Sequence, residues 1–261
     1  MASSTIGRTV VHGAVAGIAA GATGAIALYF LVEPSIRAAI AIEEAGSEHD
    51  HSAGHSHAAA EVVTRGQQVV AGMLTAVIVG TLIGVAFALV HRYLGRRITG
   101  RDLPGSALAL AGLGFVAFTL APAIVVPANP PAVGDPATVG ARTLMYLGAI
   151  VCAVALTSVV VAGSRAAALS PSHRVLGGTA LAVASIVALK LGLPDVSDPI
   201  PASVPAGLIW EFRLGSLAAL GSMWLMLAAV FGWLESATEK GRGTARRGSV
   251  PLDALTESFK A

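Results

Sequence analysis

VVAGMLTAVIVGTLIGVAFALVH, residues 69–91, runs without a single Asp, Glu, Lys or Arg. At 1.5 Å of rise per residue, a helix of this stretch is roughly 34 Å long, enough to cross a hydrocarbon core of about 30 Å. Lipid offers no hydrogen bonds to a backbone, so an apolar segment of this length resolves as a helix that satisfies its own amides. Five further runs read the same way: 10–32, 106–126, 143–163, 175–193 and 206–234. Composition agrees. A mean hydropathy of +0.74, with 54% hydrophobic and 12% charged residues, lies outside the range of soluble domains. The sequence predicts an all-α integral membrane protein with six transmembrane helices.

Arg8 before the first run invites comparison with a signal peptide. The run is too long for one, and Tyr29-Phe30-Leu31-Val32-Glu33-Pro34 carries no small-x-small cleavage signal, so an uncleaved first helix is expected. Cys152 stands alone, which excludes an intrachain disulfide.

Charge sets the orientation. With the N-terminus inside and six crossings, the inner segments hold Arg8, Arg92, Arg96, Arg97, Arg101, Arg165, Arg174, Lys240, Arg242, Arg246, Arg247 and Lys260. Those are twelve of the seventeen basic residues, as the positive-inside rule demands. Ten of the fifteen acidic residues, among them Glu43, Glu44, Asp195 and Asp198, fall outside. The arrangement is N-in/C-in, three hairpins with short basic inner turns and longer outer loops. Residues 1–234 form the membrane domain, and 235–261 a polar, basic cytoplasmic tail. That tail is read as solvated and in contact with anionic lipid, and no nucleic-acid partner is expected.

Of the outer loops, 127–142 and 194–207 are rich in proline and therefore stiff. Small residues recur at fourfold spacing in the first two helices: Gly13, Gly17 and Gly21, then Gly72, Ala76, Gly80 and Gly84. Such stripes predict a close helix–helix seam, since van der Waals packing holds helices together in lipid.

The outer loop 33–66 carries the densest chemistry. His49, His51, His55 and His57 crowd into nine residues, with Glu43, Glu44, Glu48 and Asp50 beside them. Imidazole nitrogens and carboxylates on a flexible backbone suit a divalent transition ion: cobalt, nickel, zinc or copper(II). The absence of nearby Cys or Met argues against copper(I), and these residues do not name the metal. Metal is expected to leave as pH falls through the imidazole range near ~6.5.

A second group is charged and stands at the outer helix ends: Glu33 and Arg37, spaced i,i+4 around Pro34, with Arg142, Glu211 and Arg213. Charges at this depth need partners, so a paired network facing the bundle, at the mouth of a path, is expected. Lys190 reads as a snorkelling anchor. No charged residue sits near the middle of any helix; Thr23, Thr75, Thr119, Thr157, Ser158, Ser185 and Ser222 are the main polar groups there. No catalytic pair, cofactor motif or P-loop is visible, so an enzyme is not expected, and no intrinsic cofactor.

Glu33-Pro34 followed by Ala38-Ala39-Ile40-Ala41-Ile42-Glu43-Glu44 resembles the first outer loop of the CbtA family, the proposed cobalt transporter subunits. So do Pro127-Ala128-Asn129-Pro130-Pro131-Ala132-Val133-Gly134-Asp135-Pro136 and Trp210-Glu211-Phe212-Arg213-Leu214. The resemblance implies a bacterial inner-membrane subunit for cobalt(II) uptake, linked to cobalamin biosynthesis. It also implies a small single-span partner, CbtB, with its own histidine-rich motif. The family is usually described with five spans; the charge count here gives six. A non-transporting metal-binding or assembly subunit, and a nickel or zinc transporter, are the alternatives.

Overall fold

The computed structural model describes residues 2–49, 63–95, 103–131, 133–166, 171–194 and 198–248. The described residues contain helices and no strand. These are α1 (Ala2–Leu31), α2 (Glu33–His49), α3 (Arg65–Val90), α4 (Leu103–Phe115), α5 (Ala121–Val125), α6 (Val139–Ala166), α7 (Pro171–Gly192) and α8 (Ala206–Gly248). A π-helical turn, His91–Gly95, extends α3, and another, Val116–Leu120, joins α4 to α5.

Among the described residues, five helical stretches are long and apolar enough to cross a membrane: Ile6–Leu31, Arg65–Gly95, Pro104–Val125, Pro136–Gly163 and Ala206–Gly241. The sixth expected run falls in α7, whose described apolar part, Gly177–Gly192, is shorter.

The glycine seam is real. α1 and α3 run antiparallel with almost no side chain between them. A Cβ added at Gly13 would lie 2.6 Å from the carbonyl of Gly84, and one at Gly21 2.6 Å from that of Ala76. Gly17 faces Gly80 between these points. Gly72 is the exception: nothing lies within 4 Å of it. The opposite face of α3, with Val70, Leu74, Ile78 and Leu82 at fourfold spacing, is exposed and forms the lipid-facing stripe.

α8 packs against α1 and α4. Gly24 meets Met223, Gly215 meets the carbonyl of Leu31, and Gly114 meets the Trp224 ring. The core between these helices holds Ala16 and Ala20, Phe87 and Ala88, Ala107 and Ala111, and Trp224, Leu227 and Phe231. A second cluster joins Ala121 and Val125 to Ala149 and Ala153 of α6 and Leu189 of α7. This corrects the expected third hairpin: α7 packs on α6 and α5, while α8 crosses to α1 and α4. Consecutive helices here are not neighbours, because α8 buries its large side chains where alanines leave room.

Candidate functional site

One end of the bundle is built by a proline-directed turn and a capped helix start. Pro34 cannot continue α1, because its ring collides with the preceding turn, but it fits the first turn of a new helix. α1 therefore stops at Leu31 and α2 starts at Glu33, making helical a stretch expected as loop. α2 bends over the bundle until Ala39 is buried against Val133 and Ile209. At the far end of the loop, Thr64 caps α3 in a capping box with Gln67.

These turns bring Glu33 and Arg65 together. Glu33 Oε1 accepts from Arg65 Nε at 3.0 Å and from Arg37 Nε at 2.9 Å, and Oε2 accepts from Arg65 Nη2 at 2.5 Å. The carboxylate is buried, 7% exposed, at the start of α2, where the helix dipole also favours a negative charge. Burial alone pushes the Glu33 carboxyl up; the hydrogen bonds and charges of Arg65 and Arg37 outweigh it and hold it below its ordinary value. Arg65 Nη1 also donates to Gln68.

A second knot ties the proline-rich block. Asp198, buried in the loop before α8, accepts from Arg142 Nη1 (2.7 Å), Thr138 Oγ1 (2.7 Å) and the Asp135 backbone N–H (3.1 Å). The Thr138 hydrogen bond leads in holding the Asp198 carboxyl low, helped by the Asp135 amide and Arg142 against the cost of burial. Gly134 passes this carboxylate at φ +134°, and a Cβ there would meet Asp198 Oδ2 at 2.7 Å. At the other end of the block Arg213 donates to the Ala128 carbonyl (2.9 Å) and to Asn129 Oδ1 (2.8 Å).

The five expected outer charges thus fall into four settings. Glu33 and Arg37 pair as the i,i+4 spacing predicts, Arg142 binds Asp198, and Arg213 holds the 127–131 turn. Glu211 is exposed at the start of α8. Arg65 and Asp198, the donor and the acceptor that complete these knots, were not among the expected site residues. The Thr64-x-x-Gln67 cap was the available signal for Arg65, since it fixes where α3 begins.

Of the expected metal ligands, Glu44 is exposed on α2, and Glu48 and His49 stand on its last turn. Asp50, His51, His55 and His57 lie outside the described residues. Among the described residues no three His, Cys, Asp or Glu side chains come together as a metal site.

The hydroxyls near the helix middles mostly serve their own helices. Thr23, Thr75, Ser158 and Ser222 donate to carbonyls of Ala19, Ala71, Val154 and Ala219. Thr119, in the second π-turn, instead accepts from Trp224 Nε1 at 3.2 Å. At the opposite end of the bundle, His91 is buried, 2.7 Å from Ser106 Oγ, and packed between Phe87 and Phe231. His12 Nδ1 lies 2.8 Å from Glu235, tying α1 to α8.

A family model described as probable cobalt transporter subunit (CbtA) matches residues 6–236. No curated protein and no solved structure matches the chain significantly.

Proposed function

The chain belongs to the CbtA family of probable cobalt transporter subunits, and on that premise we propose that it takes up divalent cobalt. It does so as a multi-pass subunit of the bacterial inner membrane, in the service of cobalamin biosynthesis. Six helices cross, with both termini inside. The short α7 counts as a crossing because Lys190, near its end, reaches the Val125 carbonyl at the end of α5. Asp198, just beyond, reaches Arg142 at the start of α6. Cobalt(II) is gathered by His49, His51, His55 and His57 with Glu44, Glu48 and Asp50, on the outer side. The small single-span protein CbtB is the partner, and the chain carries no cofactor of its own.

The observation that carries this reading is the Glu33–Arg65 pair. Glu33 opens the acid- and histidine-rich segment and Arg65 closes it, so both ends are fastened to the outer end of the α1–α3 seam. The expected ligands lie between those two points in the sequence, so the segment that carries them begins and ends at one place on the bundle. Guanidinium donors already occupy both Glu33 oxygens, so Glu33 fastens the loop and does not ligate the ion.

A second reading has its own support. Thr23 and Ser222 are spent on carbonyls of their own helices, Thr119 is taken by Trp224, and Leu227 and Phe231 fill the core. A bundle so closed suits a subunit that presents metal to a separate permease. Radioactive cobalt flux into liposomes, with and without CbtB, decides between them. Flux supports uptake by this chain; binding without flux supports presentation; neither binding nor flux in either preparation overturns both. Competition by nickel and zinc in the same assay tests the choice of metal.

A further inference from the structure

α5 and α7 meet along an open furrow of about 350 Å³ that plays no part in metal handling as read above. Leu120, Ile124, Val183, Ile186 and Val187 line it, and Lys190 lies at one end. Val183 and Val187 are 56% and 51% exposed, so the furrow opens to lipid. From Val183 to Lys190 the helix rises about 10 Å, most of the roughly 15 Å depth of one leaflet's hydrocarbon. The furrow is therefore aliphatic over its length and cationic at its shallow end.

Lys190 is poorly satisfied there. Its ammonium has three donors, and its acceptor among the described residues is the Val125 carbonyl at 3.5 Å. A cation suits that position, beside the last carbonyls of α5, but most of its hydrogen-bonding capacity is left for a ligand. An aliphatic slot ending in an ammonium with one long hydrogen bond among the described residues complements an amphipath with an anionic head.

We infer that the furrow seats an acyl chain of an anionic phospholipid, with the lipid phosphate on Lys190. A zwitterionic lipid offers the same chain but brings a cation that Lys190 repels. A second copy of the chain, which would also bury the apolar walls, is the competing occupant that the test below separates.

The test uses the full chain in detergent with equal amounts of phosphatidylglycerol and phosphatidylcholine of identical chains, read by native mass spectrometry. One basic residue near a membrane surface predicts phosphatidylglycerol retained about five-fold over phosphatidylcholine. Lys190→Gln abolishes that preference and Lys190→Arg keeps it. Val187→Trp, which fills the furrow and leaves the charge, lowers retention of both lipids. Equal retention by the unaltered chain, or a preference that survives Lys190→Gln, overturns the inference. So does a lipid-free dimer that Val187→Trp dissociates.

Discussion

Glu33 and Arg65 are separated by 32 positions, and their side chains meet at 2.5 Å over one end of the glycine seam. The fork of Arg65 spans both carboxylate oxygens, the geometry in which a guanidinium binds most strongly. Removing Arg65 by Arg65→Ala is expected to destabilise the protein by about 1–3 kcal/mol, read from thermal unfolding in detergent. Glu33→Gln combined with Arg65→Ala should cost less than the sum of the two single changes.

The same pair gives a pH dependence. The folded Glu33 carboxyl lies below its ordinary value, so its stabilisation is present above the unfolded range of about 4 and disappears as pH falls through the folded value. Asp198 acts in the same direction. Stability should fall on acidification below about pH 4. The fall should be shallower in Glu33→Gln, which has no carboxyl to protonate. An unchanged slope removes Glu33 from the account.

At the seam, Gly17→Leu sets a side chain against the backbone of Gly80 and Thr81 and should cost about 3 kcal/mol or prevent accumulation in the membrane. Gly72→Ala, one of the same stripe in sequence, meets nothing within 4 Å and should be tolerated. Comparing melting temperatures of the two variants measures how much the contact itself matters.

Gly134→Ala should cost about 1–3 kcal/mol, since it forces an unfavourable φ and crowds the Asp198 carboxylate. Gly140→Ala, six residues on with open space around it, serves as the control. Limited proteolysis within the proline-rich turn should be faster in the first variant alone.

For the metal segment, replacing His49, His51, His55 and His57 by Ala should weaken cobalt binding at least ten-fold, measured by calorimetry at pH 7.5. Binding by the unaltered chain should weaken as pH drops through about 6.5, where imidazole takes up protons. Equal affinities in the two proteins would dismiss the loop as the collecting site.

Local signals carried much of this architecture. Apolar run lengths located the five described helices long enough to cross a membrane, and fourfold glycine spacing identified the α1–α3 seam, because both depend on neighbours within one or two turns. The i,i+4 spacing likewise gave the Glu33–Arg37 pair. What sequence did not reveal depends on which distant segments meet. Arg65 reaches Glu33 across 32 positions and Asp198 reaches Arg142 across 56. Any outer charge of the right sign would have satisfied the same pairing argument. The placement of α7 against α6 instead of α8 follows the connections: 4 residues (167–170) join α6 to α7, whereas 13 (193–205) separate α7 from α8 and let α8 cross to α1 and α4. Residues 33–49 looked too polar for a bundle helix, yet they need only bury Ala39 and a few neighbours.

The length of α8 has a mechanical meaning. Its 43 residues make a rod of about 65 Å, gripping Asn129 through Arg213 near one end and His12 through Glu235 beyond its middle. A rod held at two points, and buried between them through Trp224, Leu227 and Phe231, keeps one angle to the bundle instead of pivoting. The 22 residues from Arg213 to Glu235 therefore act as a spacer of about 33 Å between the proline-rich turn and the His12 contact.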